Sequence, residues 1–225
     1  MNRRPNRQAI MASVLTADFA ALGDQCRRLE MAGVDGIHWD VMDGLAVPSL
    51  SFGPDIIAAC RRHTAIPFEA HLMTSQPDGL VDQMAEAGCK TVIVHPDWLQ
   101  NPRRTLQGIQ KRGLSAGVAL SPGSSVDLAR WHLDIVDLVL VMTVEPGYGG
   151  QRRIALMTDK VREVSLLVER QDRRIEIEVD GGVRPDNIAE VFGAGAGRFV
   201  VGSALWEDAT FEAAVASLRE AAASP

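Results

Sequence analysis

Residues 36–41 read GIHWDV, a short run in which apolar and polar side chains alternate. The alternation extends to the next residue and makes two rows, one of Ile37, Trp39 and Val41 and the other of His38, Asp40 and Met42. Successive side chains of a β-strand point to opposite faces, so this run predicts a strand with one apolar face and one mainly polar face. Repetition of such runs along the chain decides the fold.

Eight short runs rich in Val and Ile recur, with longer helical patterns between them. We predict strands at 9–15, 36–41, 67–73, 91–95, 115–120, 138–143, 175–180 and 199–202. Apolar stripes at helical spacing indicate amphipathic helices between the strands. The two clearest stripes are Phe19, Leu22, Cys26 and Leu29, and Ile154, Met157, Val161, Val164 and Leu167. Glycines that end helices are expected at Gly33, Gly88 and Gly113.

This alternation predicts an α/β protein with a closed (β/α)8 TIM barrel that forms a single domain over residues 1–225. No polar linker or shift in composition divides the chain. An open, doubly wound sheet usually carries a G-x-G-x-x-G turn directly after its first strand. Here that strand is followed by Thr16-Ala17-Asp18-Phe19, which favours the barrel.

Composition excludes several classes of function. The 225 residues include 23 Lys and Arg against 29 Asp and Glu, and the net charge of −6 is wrong for a protein that coats nucleic acid. Cys26, Cys60 and Cys89 form no C-x-x-C pair, which favours a reducing compartment. Met1 to Gln8 carries three arginines without an apolar segment after them, and no membrane span is evident. We expect a cytoplasmic protein that binds neither nucleic acid nor membrane.

Polar residues recur on one row of three predicted strands. The row in the second strand is His38, Asp40 and Met42, that in the third is Glu69, His71 and Met73, and that in the seventh is Glu176, Glu178 and Asp180. If the apolar rows face the helices, these side chains point into the barrel, some of them at the carboxyl ends of the strands, where barrel enzymes do their chemistry. Glu69 and Glu178 lie deeper, where we expect them to orient ligands or neutralise charge.

Two imidazoles and two carboxylates, from His38, Asp40, His71 and Asp180, would meet at that end of the barrel. Such a set suits one divalent metal ion, and Zn²⁺, Fe²⁺, Mn²⁺ and Co²⁺ all remain open. Taken singly, each histidine could be a hydrogen-bonded core residue and each aspartate a helix cap. Four unpaired polar groups buried together would be destabilising, so the set as a whole favours a metal site.

Glycines cluster after the last three predicted strands. The three turns are Gly147-Tyr148-Gly149-Gly150, Gly181-Gly182 and Gly202-Ser203. Backbone N–H groups in such turns can approach an anion, and the loops after strands seven and eight of a barrel are a recurrent phosphate site. One glycine turn usually serves only to reverse the chain. Three on one rim, without a lysine-bearing P-loop, favour a sugar phosphate over a nucleotide.

Five segments resemble the ribulose-phosphate 3-epimerase family, in order and over nearly the whole chain. They are 13–19 SVLTADF, 38–44 HWDVMDG, 71–73 HLM, 142–151 MTVEPGYGGQ and 179–183 VDGGV. The resemblance implies a ribulose-phosphate-binding barrel with one divalent metal ion, and a homo-oligomer. It also implies interconversion of D-ribulose 5-phosphate and D-xylulose 5-phosphate in pentose phosphate metabolism.

Carried over position by position, the resemblance implies His38, Asp40, His71 and Asp180 as metal ligands. Asp40 and Asp180 also match the family's acid/base pair, and inversion at C3 through a cis-enediolate needs a base on one face and an acid on the other. We assign Asp40 as base and Asp180 as acid in one direction, with the roles exchanged in reverse. The resemblance further implies substrate contacts at Ser13, His71, Gly147, Tyr148, Gly149, Gly150, Asp180, Gly181, Gly182, Gly202 and Ser203, and an apolar cover of Met42, Met73 and Met142.

Some positions depart from the usual family pattern, and they are Leu45, Ala46, Ser49, Asp97 and Arg153. They leave the preferred ketose phosphate open, and D-allulose 6-phosphate is an alternative. A second alternative is a barrel enzyme that uses a lysine at the end of a strand, but Lys90, Lys111 and Lys160 are all predicted in loops or helices. A third is a non-catalytic phosphate-binding barrel.

Overall fold

The computed structural model describes residues 8–207 and 210–223 of the chain. The strands are β1 Ala9–Ser13, β2 Gly36–Met42, β3 Phe68–Met73, β4 Cys89–Val94, β5 Ser115–Leu120, β6 Leu138–Met142, β7 Glu176–Asp180 and β8 Arg198–Val201. The α-helices are α1 Leu22–Met31, α2 Pro54–Arg61, α3 Asp78–Glu86, α4 Pro102–Lys111, α5 Asp127–Arg130, α6 Met157–Val168, α7 Ile188–Gly193, α8 Ser203–Glu207 and α9 Phe211–Ala223. Short 3₁₀ helices lie at Phe19–Ala21 and Pro96–Trp98.

The strands form a closed barrel in which each strand pairs with the next in sequence and β8 pairs with β1. All of these pairings are parallel. Every strand is followed by at least one helix before the next strand begins, as parallel neighbours require. The predicted (β/α)8 barrel is therefore confirmed.

Apolar side chains pack on both faces of the strands. Between strands and helices, Trp39 lies edge-on to Phe68, with ring centroids 5.3 Å apart, and both are fully buried in the same layer as Leu29 and Val164. Inside the barrel, a smaller apolar cluster includes Met11, Ile93, Leu138, Leu140, Met142 and Val200. The prediction that the apolar rows of β2 and β3 face the helices is confirmed, and their polar rows face the interior.

Strand ends differ from the prediction by one or two residues, for local reasons. β1 ends at Ser13, not at residue 15, because the Leu15 N–H turns back to the Ser13 hydroxyl oxygen at 3.3 Å. β8 begins at Arg198, one residue before the predicted start, and its first residue pairs with Ala9 on one side and Glu178 on the other. These shifts change no side chain's face.

Two helix predictions were too long at the amino-terminal end. Phe19 lies in a 3₁₀ turn before α1, where it is 46% exposed and packs on Phe52 with ring centroids 5.2 Å apart. Ile154 precedes α6, because its N–H donates to the Thr143 carbonyl oxygen at 2.7 Å and so belongs to the preceding loop. The helix-ending glycines are confirmed: Gly33, Gly88 and Gly113 have φ of 85°, 88° and 74°.

Residues 1–7, 208–209 and 224–225 lie outside the described residues, and with them most of the arginine-bearing segment from Met1 to Gln8. In the described parts of the chain, no helix has the length and apolar character needed to cross a membrane.

Candidate active site

The barrel register brings the four candidate ligand residues together. Asp40 pairs with His71 between β2 and β3, and Asp180 ends β7 beside Met142 of β6. His38 Nε2 lies 3.3 Å from Asp40 Oδ1, and His71 Nδ1 lies 3.4 Å from the same oxygen. The His71 nitrogen is also 3.8 Å from Asp180 Oδ2. One potential ligand atom from each residue lies within 4.8 Å of the others, which is the spacing of a common coordination sphere.

Two of these atoms, both imidazole nitrogens, show whether the group suits a metal ion. His38 Nε2 and His71 Nδ1 are buried, and neither has a hydrogen-bond partner among the described residues. Unpaired buried polar atoms are destabilising and rare in native proteins. A cation between these nitrogens and the carboxylates would satisfy both, and two imidazoles with two carboxylates suit zinc and the first-row transition metals. The residues therefore fit a divalent ion.

The other nitrogen of each imidazole contacts a buried partner. His38 Nδ1 lies 2.8 Å from Glu69 Oε1, so the ring donates to a carboxylate and turns Nε2 toward Asp40. His71 Nε2 lies 2.9 Å from His95 Nε2. Partners of this kind fix the tautomer and the orientation of a ligating histidine. Glu69 thus lies where an orienting residue was expected, whereas the contact of His95 was not foreseen.

Asp40 and Asp180 differ in protonation. Burial alone would raise the pKa of Asp40, but the neighbouring His38 and His71 hold it well below its usual range. Burial raises the pKa of Asp180 to about 7, and the negative charge of Asp40 adds to this rise. Near neutral pH, Asp40 is ionised while Asp180 retains a proton on a large fraction of the molecules. Carboxyl groups with well-separated pKa values can act as a base and an acid side by side.

A charged cluster lies beneath the site, near the amino-terminal ends of the strands. The Arg198 guanidinium contacts Glu69, lies 3.1 Å from Glu176 and has its Nε 3.5 Å from Glu178. Burial raises the pKa of Glu178 well above its usual value, and the charge of Glu69 raises it further. Glu69 contacts the ligand residue His38, and potential ligand atoms of Glu178, Glu69 and His38 lie within 4.8 Å of one another, so both glutamates lie close to that ligand.

Above the site, the mouth of the barrel opens into a cavity of about 560 Å³. Nearly every predicted substrate contact lines it, namely Ser13, Gly147, Tyr148, Gly149, Gly150, Asp180, Gly181, Gly182, Gly202 and Ser203, and so do Asp40, Met42, Met73 and Met142. His71 is the exception, because its ring is fully buried and does not reach the cavity. Thr16, Glu145 and Gln151 also line it and were not predicted.

The glycines in these turns differ in whether the fold has room for a side chain. At Gly182, with φ of 63°, an added Cβ would lie 2.6 Å from the backbone nitrogen of Arg153, so the turns after β6 and β7 pack backbone against backbone. At Gly202 the nearest atom to an added Cβ is Ser13 Cβ at 3.8 Å. Gly182 is therefore required for packing, whereas a Cβ at position 202 would make only ordinary van der Waals contacts.

Sequence comparison identifies the family. A model of the ribulose-phosphate 3 epimerase family matches residues 9–206. The chain belongs to the ribulose-phosphate 3-epimerase family. A ribulose-phosphate 3-epimerase of Bacillus subtilis is 39% identical over 211 residues, which cover 93% of this chain and 97% of that protein. One from Rhodobacter capsulatus is 42% identical over 198 residues, or 88% and 86% of the two chains. This chain is accordingly an enzyme, an epimerase with a TIM barrel fold.

Solved structures with the same barrel come from other enzymes. A 3-hexulose-6-phosphate synthase superposes with a TM-score of 0.73 at 19% sequence identity. The superposition covers 96% of the epimerase and 100% of the synthase chain. Orotidine 5′-phosphate decarboxylase from Pyrococcus horikoshii gives 0.70 at 14% identity, covering 96% and 100%. At these identities the likeness shows the fold and nothing more of the epimerase.

Ser13 of the epimerase makes a contact that the sequence did not predict. Its hydroxyl donates to Asp40 Oδ2 at 2.7 Å, on the side of the carboxylate away from the two histidines. One oxygen of Asp40 therefore faces the ligand nitrogens and the other is held by Ser13. Because Ser13 also lines the cavity, it can orient Asp40 and contact a bound molecule.

The positions at which the epimerase departs from the family pattern lie away from the cavity lining; they are Leu45, Ala46, Ser49, Asp97 and Arg153. Leu45 is 81% exposed. Asp97 accepts a hydrogen bond of 2.6 Å from the Ser124 hydroxyl. Arg153 donates a hydrogen bond of 2.6 Å to the Thr158 hydroxyl oxygen and forms a salt bridge with Glu190. Two of these departures thus hold neighbouring loops and helices together.

Binding of a divalent ion to the epimerase should release protons. The carboxylates of Asp40 and Glu69 raise the pKa of His38 well above its usual value against the opposing effect of burial, and the pKa of Asp180 is about 7. Both groups therefore hold a proton near pH 6, and an ion displaces both. Calorimetry in buffers of different protonation enthalpy should give about two protons released near pH 6 and about one fewer above pH 8, where Asp180 is already ionised before the ion binds.

The Asp180→Asn variant provides the control, since an amide has no proton to give up. We expect it to release about one proton fewer near pH 6 and the same number as the wild type above pH 8. Equal release by the wild type at both pH values would contradict an Asp180 carboxyl group that is protonated at the lower pH and ionised at the higher.

Proposed function

We propose that this epimerase interconverts D-ribulose 5-phosphate and D-xylulose 5-phosphate by inverting C3, with a divalent ion held by His38, Asp40, His71 and Asp180. One observation carries the proposal: Asp40 and Asp180 line the same cavity, on strands β2 and β7, and before any ion binds their surroundings shift the two pKa values in opposite directions. The names of the relatives support the substrate.

Inversion at C3 requires a proton to leave one face of the sugar and another to arrive at the opposite face. The C3 proton is acidic because it is α to the C2 carbonyl, and the ionised Asp40 accepts it. Asp180, once it has taken up a proton from solvent, donates it to C3 of the resulting enediolate from the other face. In the reverse direction Asp180 is the base and Asp40 the acid, as microscopic reversibility requires. After each turnover the two carboxyl groups have exchanged protonation states, and proton exchange restores them.

The ion would supply positive charge next to the oxygens that become negative as the proton leaves, an effect worth several kcal/mol in related chemistry. The chain's own residues shape the rest of the site. Ser13 holds Asp40 in place, and Met42 and Met73 pack with Val47 into an apolar wall beside the two carboxylates. Met142 adds to this wall from β6. An apolar cover of this kind excludes water that could protonate the enediolate on the wrong face.

The turns 147–150, 181–182 and 202–203 surround the cavity and support a phosphate site. Residues of all three turns line the cavity, and backbone N–H groups in such turns can approach an anion. Since this grip uses backbone groups, a sugar phosphate can bind to a chain with a net charge of −6.

Incorporation of deuterium from solvent tests the proposal. The protein is incubated with D-ribulose 5-phosphate in D₂O, and we expect D-xylulose 5-phosphate that carries deuterium at C3, because the returned proton comes from a carboxyl group in exchange with solvent. NMR of the product measures both the inversion and the position of the label. Deuterium at C3 of D-allulose 6-phosphate alone would indicate the alternative substrate. No exchange with either substrate would contradict the proposed reaction.

The lysine-dependent alternative has little support. Lys90 lies at the exposed start of β4, which corrects its predicted position, and Lys111 ends α4. Lys160 Nζ donates to the carbonyl oxygens of Ser121, Pro122 and Ser124 at 2.9, 2.7 and 2.8 Å. These three lysines are absent from the cavity lining, so none can form a Schiff base with a ligand there.

The remaining expectations stay predictions. We propose that the chain is one domain over residues 1–225, that it acts in the cytoplasm in pentose phosphate metabolism, and that it forms a homo-oligomer. Free, buried cysteines at 26, 60 and 89 support a reducing compartment. Leu45 and Leu50, 81% and 77% exposed, are apolar side chains that an interface between copies could cover.

A further inference from the structure

We propose that His95 is a positioning residue that holds the ligand His71 in the tautomer and orientation needed to bind a divalent ion. The inference rests on the metal site of the proposed function. His95 directly follows β4 and is 1% exposed. Its Nε2 lies 2.9 Å from Nε2 of His71, and the two ring planes differ by only 23° with centroids 5.0 Å apart. This is the geometry of a hydrogen bond between two ring edges.

The hydrogens of this pair can be assigned from the contacts. His71 Nδ1 faces Asp40 Oδ1 and Asp180 Oδ2, and it needs a free lone pair to bind an ion. The ring hydrogen of His71 is therefore on Nε2, which donates to Nε2 of His95. His95 must then carry its own hydrogen on Nδ1, which lies 3.2 Å from the Ser121 hydroxyl oxygen and donates to it. One arrangement of hydrogens satisfies every contact in the series His71, His95 and Ser121.

The rest of the fold holds His95 rigidly. Its ring stacks on Trp98, with centroids 3.8 Å apart and planes 7° apart. The loop after β5, which carries Ser121, is held by the three hydrogen bonds that Lys160 donates to its carbonyl oxygens. The Ser124 hydroxyl in the same loop donates to Asp97, next to Trp98 in the 3₁₀ helix. The acceptor for His71 is thus fixed in position before any ion binds.

His95 supplies something that a carboxylate would not. The other ligand, His38, donates to the charged Glu69, which adds negative charge near the site. A neutral imidazole at position 95 orients His71 without adding a further negative charge to the two already present on Asp40 and Glu69. Removal of its acceptor nitrogen would free His71 to rotate or to place its hydrogen on Nδ1, and either change competes with the ion.

Two substitutions of similar size separate the acceptor from the packing. His95→Met fills the space but offers only a weak sulfur acceptor, while His95→Gln keeps an amide oxygen that can accept from His71; both lose the ring that stacks on Trp98. Zn²⁺ affinity is measured by competition with a chromophoric chelator, and the absorption spectrum of the Co²⁺ form reports the ligand geometry. We expect His95→Met to weaken Zn²⁺ binding about 10- to 100-fold, and His95→Gln to recover most of that loss.

Three outcomes decide the inference. If His95→Met keeps wild-type Zn²⁺ affinity and an unchanged Co²⁺ spectrum, the inference is wrong. It is also wrong if His95→Met and His95→Gln both fold and lose Zn²⁺ affinity to the same extent. If His95→Met fails to fold, Ser121→Ala removes the far end of the series, and an unaltered Zn²⁺ affinity in that variant would overturn the inference as well. The proposed metal site is tested separately. If the wild type does not bind Zn²⁺ tightly, or if His71→Ala binds it as tightly as the wild type, the metal site itself is wrong.

Discussion

Asp40→Asn and Asp180→Asn are each expected to lower the kcat of epimerisation about 10²- to 10⁴-fold, the usual contribution of a positioned acid or base. Each variant lacks the group that takes or gives the C3 proton on one face, while the amide keeps the size of the side chain. In Asp40→Asn, the Ser13 hydroxyl can still donate to the amide oxygen of the new side chain, so the local structure is retained. Both epimers are followed by NMR at saturating ion, with the metal content of each variant measured alongside.

Isotope exchange gives this prediction a sharper form. In D₂O, each variant retains one carboxylate, which can still remove and return the C3 proton of one epimer on its own face. We therefore expect each variant to exchange the C3 hydrogen of one epimer only, without inversion, and the two variants to exchange opposite epimers. Asp159→Asn makes the same chemical change on an exposed turn of α6 and should keep wild-type kcat. Full activity in either active-site variant would contradict the mechanism with two acids.

Removal of divalent ions with a chelator is expected to abolish epimerisation. Without an ion, the negative charge that develops on the sugar oxygens has no adjacent cation, and His38 Nε2 and His71 Nδ1 remain without partners. Activity should return on addition of Zn²⁺, Mn²⁺, Co²⁺ or Fe²⁺, and the order of restoration identifies the preferred ion. The melting temperature should fall on chelation and rise again with the ion, because the ion binds the folded chain far better than the unfolded one.

The same treatment of a ligand-deficient variant is the control. His71→Ala should show a low melting temperature that neither chelation nor added ion changes, since its site no longer binds tightly. The proposal would be wrong if the wild type, shown by elemental analysis to be free of metal, retained its kcat.

The fold and most of the site follow from alternation within single strands. The row of His38 and Asp40 in β2, and the rows of His71 in β3 and Asp180 in β7, point inward because apolar neighbours such as Trp39 face the helices. Alternation is a local property, so a sequence reveals it directly. Once the strands are known to form a closed barrel in sequence order, it follows that these residues meet at one end of the barrel.

Contacts between strands were harder to predict, because they depend on register. Arg198 was missed since the predicted eighth strand began at Phe199, one residue too late to include it. The bond from Ser13 to Asp40 requires that β1 and β2 be offset so that Ser13 lies opposite His38. His95 did carry a signal: it stands two residues after Ile93, which lies inside the barrel opposite His71. The predicted strand at 91–95 already included His95, and reading its inward row as residues 91, 93 and 95 would have placed His95 near that ligand.

Arg198 has a consequence at the opposite end of the barrel. By pairing with Glu69, it limits how strongly that carboxylate draws the hydrogen of His38 toward itself, and so how much electron density His38 Nε2 can offer to an ion. In the proposed metal site, the Lewis acidity of the ion would therefore depend partly on a side chain that touches neither the ion nor any of its ligands. A substitution at position 198 would then change the acidity of the substrate at C3 from outside the catalytic cavity, and it would also deprive the buried Glu69 and Glu178 of their cationic partner.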